Sequence, residues 1–128
     1  MSCGCIKSRG NSKIKNILQS NQIPFIAEYP VRINDITYYY DFAILNDNKI
    51  ICFIEYDGVL HFEQDKYHGW NDEKNWKRTR QNDKIKNNYA TEKEIPLIRI
   101  SYFDFNNIDL SFILERINKK CTVDILQL

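Results

Sequence analysis

An uncharged run that ends in two acids lies near the middle of the chain and constrains the fold most strongly. Residues 50–54 are apolar or cysteine, which is typical of a central strand covered on both faces. Glu55 and Asp57 follow this run, separated by Tyr56. Because side chains alternate along a strand, both carboxylates lie on one face if the strand continues. A buried carboxylate is costly unless something binds it, so we expect a partner such as a hard cation.

A third acid, Asp41, interrupts the preceding strand-like run over 36–45. A short polar turn at 46–48 separates the two runs, so a hairpin would bring Asp41 close to Glu55 and Asp57. Three carboxylates in one place predict a site for Mg²⁺ or Mn²⁺. For Asp41 alone, the alternative is an acid at a strand edge or in a hydrogen-bonded pair.

Gly58 and His61 follow the two acids of the central run. Gly58 allows the chain to turn, and His61 is close enough in sequence to return to the same pocket. Its imidazole is therefore predicted to act there as a metal ligand or as a proton acceptor.

Composition limits the size and the class of the protein. The 128 residues predict one domain over 11–128, preceded by a flexible tail over 1–10. A hydrophobic content of 43% favours a folded core. The formal net charge of +1 excludes a strongly basic chain that coats nucleic acid, but it permits a local phosphate-binding patch.

Neither a membrane span nor a disulfide framework is visible in the sequence. No stretch approaches about 20 apolar residues, and no signal-peptide core follows Met1, so we expect a cytoplasmic protein without a membrane partner. The four cysteines form neither a paired zinc motif nor a secreted disulfide pattern. Cys52 is predicted to lie in the core, and Cys3 and Cys5 in the tail, with metal binding as their alternative.

The periodicity predicts an α/β fold with the element order αβββαβα. Strand 23–31 contains two prolines and is predicted at the sheet edge, and the first three strands are predicted to form a meander. Asp109 is predicted to cap the last helix. The other predicted elements are a helix over 13–19, strands over 36–45, from 49 and over 95–102, and a helix over 73–90.

Five residues of the long predicted helix follow one another at steps of three and four, namely Trp76, Thr79, Asp83, Lys86 and Ala90. They share one stripe, so Asp83 and Lys86 are predicted to face the body of the protein. The alternative is an ion pair between Asp83 and Lys86 on a solvated helix, which would stabilise the fold little.

Positive charge is concentrated on the same helix. The predicted phosphate contacts are Lys77, Arg78, Arg80 and Lys84. The alternative is a solubilising helix face, because acids are interspersed. Trp70, in the preceding polar loop, either stacks on a base or caps the core.

Four short motifs together resemble a known family: Tyr-Asp-Phe at 40–42, Ile-Glu-Tyr-Asp-Gly-x-x-His at 54–61, Asp-x-x-Lys at 83–86 and Pro-Leu-Ile-Arg-Ile at 96–100. They are similar to phage and mobile-element nucleases of the PD-(D/E)XK superfamily. The closer likeness is to very-short-patch repair endonucleases and to homing endonucleases with an EDxHD signature. The resemblance covers about residues 10–102 and implies a restriction-endonuclease-like αβββαβ core, with a mixed central sheet flanked by helices.

By this resemblance, Asp41 and Glu55 match metal-binding acids, whereas Asp57 stands where the superfamily usually has lysine. His61 is then the first candidate for the base, and Lys86 for the displaced lysine. The implied activity is metal-dependent hydrolysis of DNA, in the host cytoplasm if the protein is phage-encoded. The expected ligands of Mg²⁺ or Mn²⁺ are Asp41, Glu55 and Asp57.

Two residues of the long predicted helix are expected to assist the reaction. Asp83 is expected to orient His61 or the metal shell, and Lys86 to offset charge on the phosphate. Related sequences have a glutamate in the first helix where this chain has Asn11, which raises the alternative of a noncatalytic nucleic-acid-binding module. A further alternative is a structural acid network in an interaction protein. A double-strand break would need a homodimer or two successive nicks.

Overall fold

The structure, a computed structural model, describes residues 6–58 and 72–120, with side chains from residue 9 in the first range and from residue 77 in the second. Its order confirms the predicted αβββαβα arrangement and the α/β class. A short 3-10 helix, Tyr102–Asn107, lies before the last helix. The other elements are α1 (Ile6–Ser20), β1 (Phe25–Ile33), β2 (Ile36–Asn46), β3 (Lys49–Asp57), α2 (Asp72–Glu92), β4 (Leu97–Ser101) and α3 (Leu110–Lys120).

The four strands form one mixed sheet in the order β1-β2-β3-β4. The first three pair antiparallel and form the predicted meander, whereas β3 and β4 are parallel. Both hairpins turn through two residues with φ between 51° and 66°, at Asn34-Asp35 and Asp47-Asn48. Two left-handed residues match the twist of a hairpin, and Asn and Asp tolerate that conformation. The uncharged run of β3 therefore lies in the interior of the sheet, and β1 lies at an edge, as predicted.

Apolar side chains cover both faces of the sheet. On one face, α1 and α3 contribute Ile14, Leu18 and Ile113 to a cluster with residues of all four strands. On the other face, Ala90 of α2 packs with Phe53 and its neighbours. Cys52 is fully buried, which confirms its predicted place in the core. This double coverage explains the absence of charge between residues 50 and 54, because every side chain of that run meets a packed layer.

Helix α1 starts earlier than the sequence predicts. It begins at Ile6 and not near Ser12, so five residues of the predicted tail are helical. Two tertiary contacts account for the difference. An ideal Cβ on Gly10 would lie 2.2 Å from the Tyr56 ring, so only glycine permits this approach to β3. The Arg9 guanidinium lies 5.0 Å from the centre of the Phe105 ring.

The other boundaries differ by a few residues. Strand β1 begins at Phe25, and β4 ends at Ser101, where the 3-10 helix that was not predicted takes over. The Ser101 hydroxyl caps that helix by accepting a 3.1 Å hydrogen bond from the Phe103 amide. Asp109 caps α3 as predicted, since its carboxylate accepts a 2.8 Å bond from Phe112 N–H. Within the described residues, no helix is long and apolar enough to cross a membrane.

Candidate functional site

Asp41 on β2 and Glu55 on β3 lie next to each other, one residue beyond Phe42 and Ile54, the last regular pair at this end of the two strands. The Asp41 amide donates a 2.7 Å hydrogen bond to Glu55 Oε2, and the Tyr56 amide donates a 2.8 Å bond to Asp41 Oδ2. Two carboxylates thus replace the backbone acceptors of a normal ladder. The prediction that Asp41 lies next to Glu55 is confirmed.

Strand β2 is irregular at Asp41, and the irregularity positions the acid. Tyr40 packs on the α2 side of the sheet, whereas Phe42 packs on the α1 side. Residues two apart share a face in a regular strand, so the chain rotates between these two residues. On the neighbouring strand, Glu28 has a left-handed φ of 52° between the paired residues Ala27 and Tyr29. This local twist takes the Asp41 amide out of the ladder and lets it bind the Glu55 carboxylate.

Lys86 of α2 completes the contacts of Glu55. Its ammonium donates a 2.8 Å bond to Glu55 Oε1, and the two side chains are only 10% and 1% exposed. The Tyr40 hydroxyl donates a 2.7 Å bond to the backbone carbonyl of Lys86, which ties this turn of α2 to β2. Burial, and then the negative charge of Glu55, raise the pKa of Tyr40 well above its usual value, so this hydroxyl remains a donor.

Asp57 has a different partner from Glu55. It lies two residues further along β3 on the same face, and its Oδ1 accepts a 2.7 Å bond from Arg99 Nη1. Arg99 lies on β4 beside Glu55 in the parallel register. Its Nη2 is also 3.5 Å from Asp83 Oδ1, and its Nε and Nη2 donate bonds of 3.1 and 3.0 Å to Asn87 Oδ1. One guanidinium therefore joins β3, β4 and α2.

The predicted three-carboxylate cluster is not found in the part of the chain that the structure describes, where no group of three or more His, Cys, Asp or Glu side chains could hold a metal ion. Asp57 is bound to Arg99, which leaves Asp41 and Glu55 as the adjacent pair. Mg²⁺ commonly binds proteins through one or two carboxylates, with water and substrate phosphates as the other ligands. The donor chemistry of this pair fits such an ion.

The sheet-facing stripe of α2 matches the prediction over its described part. Thr79 and Asp83 are partly buried, and Lys86 and Ala90 are buried. Asp83 and Lys86 contact Arg99 and Glu55, respectively, so neither belongs to a solvated face. The Trp76 side chain lies outside the described residues.

The predicted phosphate contacts on α2 are exposed. Asp83 and Lys86 lie against the carboxyl-terminal halves of β3 and β4. The predicted phosphate contacts belong to the same part of α2 and lie on its outward sides. The exposed residues are Lys77, Arg78, Arg80 and Lys84. His61, predicted as the base, and Trp70, predicted to contact nucleic acid, lie outside the described residues.

Three participants were not predicted from the sequence: Arg99, Asn87 and Tyr40. Arg99 had a detectable signal, because one charged residue alternates with the buried Ile98 and Ile100 of β4. A cation on the covered face of a strand needs an acidic partner, and Asp57 was available at the same end of the sheet. The contact of Asn87 and the bond from Tyr40 to a helix carbonyl depend on how α2 docks, which local periodicity does not determine.

Comparison of the chain with protein-family models, with curated proteins and with solved structures found no match. Its function therefore has to be inferred from the side chains and the contacts described above.

Proposed function

We propose that the chain is a metal-dependent endonuclease that hydrolyses DNA phosphodiester bonds on a restriction-endonuclease-like core. The observation that carries the proposal is the Asp41–Glu55–Lys86 arrangement. Two carboxylates meet where β2 and β3 separate, and a buried ammonium lies 2.8 Å from one of them. A buried acid and a buried lysine beside a second, partly buried acid are rarely placed together without a structural or catalytic use. The αβββαβ order and the mixed sheet support the proposed core.

Asp41 and Glu55 would hold a divalent ion, Mg²⁺ or Mn²⁺. When bound, such an ion polarises the phosphodiester and makes a nearby water more acidic. The formal charges support one divalent ion. The carboxylates of Asp41, Glu55, Asp57 and Asp83 and the cations of Lys86 and Arg99 leave two negative charges in the described part of the site. The assignment of Asp57 as a third ligand stays a prediction.

The proposed chemistry is hydrolysis by water. The water oxygen attacks phosphorus, and the proton of the water passes to His61. The bond from phosphorus to the leaving sugar oxygen breaks, and that oxygen takes a proton from solvent and leaves as a hydroxyl. Lys86 offsets the negative charge that develops on the phosphate oxygens. The hydrogen bond between the Tyr40 hydroxyl and the Lys86 carbonyl keeps this part of α2 in place. The predicted role of Asp83, to orient His61 or the metal shell, is retained as a proposal.

The exposed cations of α2 would bind the DNA backbone beside the cleavage site. One domain carries one such site, so a double-strand break requires either a homodimer or two successive nicks. The proposed binding residues are Lys77, Arg78, Arg80, Lys84 and, from the segment outside the described residues, Trp70.

A second function, that of a noncatalytic DNA-binding module, is favoured by one specific observation. Each oxygen of Glu55 already accepts a hydrogen bond, one from the Asp41 amide and one from Lys86. A carboxylate with a purely structural role would accept the same two hydrogen bonds. This module would bind DNA without a divalent ion and would not cleave it.

The test is cleavage of supercoiled plasmid in Mg²⁺ or Mn²⁺ by the wild-type chain and by Asp41→Asn. Asp35→Asn is the matched control, because that side chain is 98% exposed at a turn. We expect metal-dependent nicking by the wild type and by the control, with a loss of at least 100-fold in Asp41→Asn. Equal cleavage by all three proteins would contradict the assignment of this site. DNA binding without cleavage would favour the noncatalytic module.

A further inference from the structure

We propose that Arg99 is an additional phosphate-binding residue of this site and that Asp57 orients its guanidinium. This inference rests on the proposed nuclease function and assigns a substrate contact that the motif comparison did not assign. Arginine keeps its charge and presents five N–H groups in a rigid, planar arrangement, so some can be held by the protein while another binds a phosphate oxygen.

Three side chains from two neighbouring elements fix the Arg99 guanidinium. Asp57 binds it from β3 at 2.7 Å, whereas Asn87 and Asp83 bind it from α2 at 3.0 to 3.5 Å. A long cationic side chain normally loses considerable rotational freedom when it contacts a ligand. Because these contacts already restrict the Arg99 side chain, binding a phosphate costs less conformational entropy here than at a mobile surface arginine.

The Arg99 guanidinium also lies close to the proposed ion site. Arg99 pairs with Glu55 in the register of β3 and β4, and its side chain reaches Asp57 on the same face. The guanidinium therefore lies beside Asp57. Asp57 is two residues, or roughly 7 Å, along β3 from Glu55, a proposed ligand of the ion. A DNA strand with one phosphate at the Asp41–Glu55 pair would therefore also come close to Arg99.

Within the described residues, the Arg99 guanidinium keeps a free hydrogen-bond donor. Arginine carries five N–H groups. The contacts to Asp57, Asn87 and Asp83 use four of them and leave one Nη1 proton without a partner in the described part of the chain. The side chain is 23% exposed. A phosphate oxygen can therefore reach the guanidinium without breaking its existing contacts.

The Asp57 side chain is 7% exposed, and its Oδ1 lies 2.7 Å from Arg99 Nη1. A direct role as an ion ligand would require it to leave this arginine and would leave a partly buried cation without its closest partner. As an orienting residue, Asp57 keeps the contact that it has. The ion then retains Asp41 and Glu55 as protein ligands.

The test is the salt dependence of binding to a short DNA duplex in Ca²⁺, an ion used here so that binding is measured apart from cleavage. The decisive protein is the double variant Arg99→Met with Asp57→Asn, which removes both charges together and keeps the net charge of the wild type. Its matched control is Arg32→Met with Asp35→Asn, which removes an exposed pair of the same charges, 3.9 Å apart, at the β1–β2 turn.

We expect the Arg99/Asp57 double variant to bind DNA about tenfold more weakly, as for the removal of one charged hydrogen bond. The slope of log K against log salt should fall by about 0.9, the value for one phosphate contact. The Arg32/Asp35 control should keep the wild-type slope. An Arg99/Asp57 variant that is folded by circular dichroism and binds like this control overturns the inference. Arg99→Lys is a second measurement that keeps the charge, and wild-type affinity in it would overturn the need for a guanidinium held by Asp57 and Asn87.

Binding of Mn²⁺, followed by electron paramagnetic resonance without DNA, tests the role of Asp57. Asp57→Asn should bind Mn²⁺ like the wild type if the residue orients Arg99, and a loss of 100-fold or more would overturn that assignment. The nuclease proposal fails separately. If the wild-type chain binds DNA but never cleaves it, the proposed nuclease activity is wrong. The salt dependence of DNA binding then still tests phosphate binding by Arg99. A wild-type chain that binds no DNA overturns both.

Discussion

The buried ammonium of Lys86 lies 2.8 Å from Glu55 Oε1, across the interface between α2 and β3. Both residues are charged, and both would be costly to bury alone. Each therefore stabilises the burial of the other, and the pair connects the long helix to the carboxyl-terminal half of the central strand.

Lys86→Met should destabilise the fold by about 3–5 kcal/mol, because it leaves the Glu55 carboxylate buried without its cation. The double variant Lys86→Met with Glu55→Gln should recover most of that loss, since neither charge remains. Urea unfolding measures both effects. If the double variant is less stable than the single one, the two side chains do not depend on each other. The recovered double variant should still be inactive in cleavage.

Tyr40→Phe should cost about 1 kcal/mol of stability, because the hydroxyl donates a 2.7 Å bond to the Lys86 carbonyl. Tyr39→Phe is the matched control, since Tyr39 is the adjacent residue on β2 and is 56% exposed. Urea unfolding at neutral pH compares the two variants. Equal stability of both would contradict a structural role for the Tyr40 hydroxyl.

The stability of the protein should also fall at alkaline pH. Burial raises the pKa of Tyr40 above its ordinary value of 10.0, so the folded state retains a proton that the unfolded chain loses. The contribution is fully present below about pH 10 and decreases as the pH rises above it, because the unfolded state then binds fewer protons. Unfolding at pH 8 and pH 11 should show a smaller decrease in Tyr40→Phe than in the wild type. An identical decrease would contradict the effect.

Gly10→Ala should destabilise the protein by about 1–3 kcal/mol, although alanine favours helices. The added Cβ would lie 2.2 Å from the Tyr56 ring, so α1 would have to move away from β3. Ser12→Ala, at an exposed position of the same helix, is the control and should be neutral or slightly stabilising. Thermal unfolding by circular dichroism compares them. A Gly10→Ala protein at least as stable as the wild type would contradict the close approach.

The exposed cations of α2 should act through the DNA backbone and not through base recognition. Alanine at Lys77, Arg78, Arg80 and Lys84 should lower the slope of log K against log salt by about 0.9 for each phosphate that the protein no longer binds, with similar losses on unrelated sequences. Alanine at four exposed lysines elsewhere should change the slope less, and the control set is Lys15, Lys49, Lys93 and Lys119. Fluorescence anisotropy measures both sets. Equal slopes for the two sets would place the DNA-binding surface elsewhere on the protein.

Local sequence patterns predict most of the helices and strands of this protein. The run of β3, the polar turns and the cap at Asp109 are local signals, and the structure has them where the pattern predicts. The sequence also indicated that Asp41 approaches Glu55 and that α2 turns Asp83 and Lys86 inward, because strand and helix periods fix which side chains share a face. The catalytic roles and the metal remain predictions.

Which charges pair depends on how the elements pack together. Asp57 and Arg99 are 42 residues apart and meet because β3 and β4 lie side by side in a parallel register. The same applies to the early start of α1, where contacts of Gly10 and Arg9 with distant aromatic rings outweigh the weak local helix signal. Periodicity assigns a side chain to a face of its own element. The partner that it meets there depends on how separate elements dock, which is a property of the packed chain and not of any short segment.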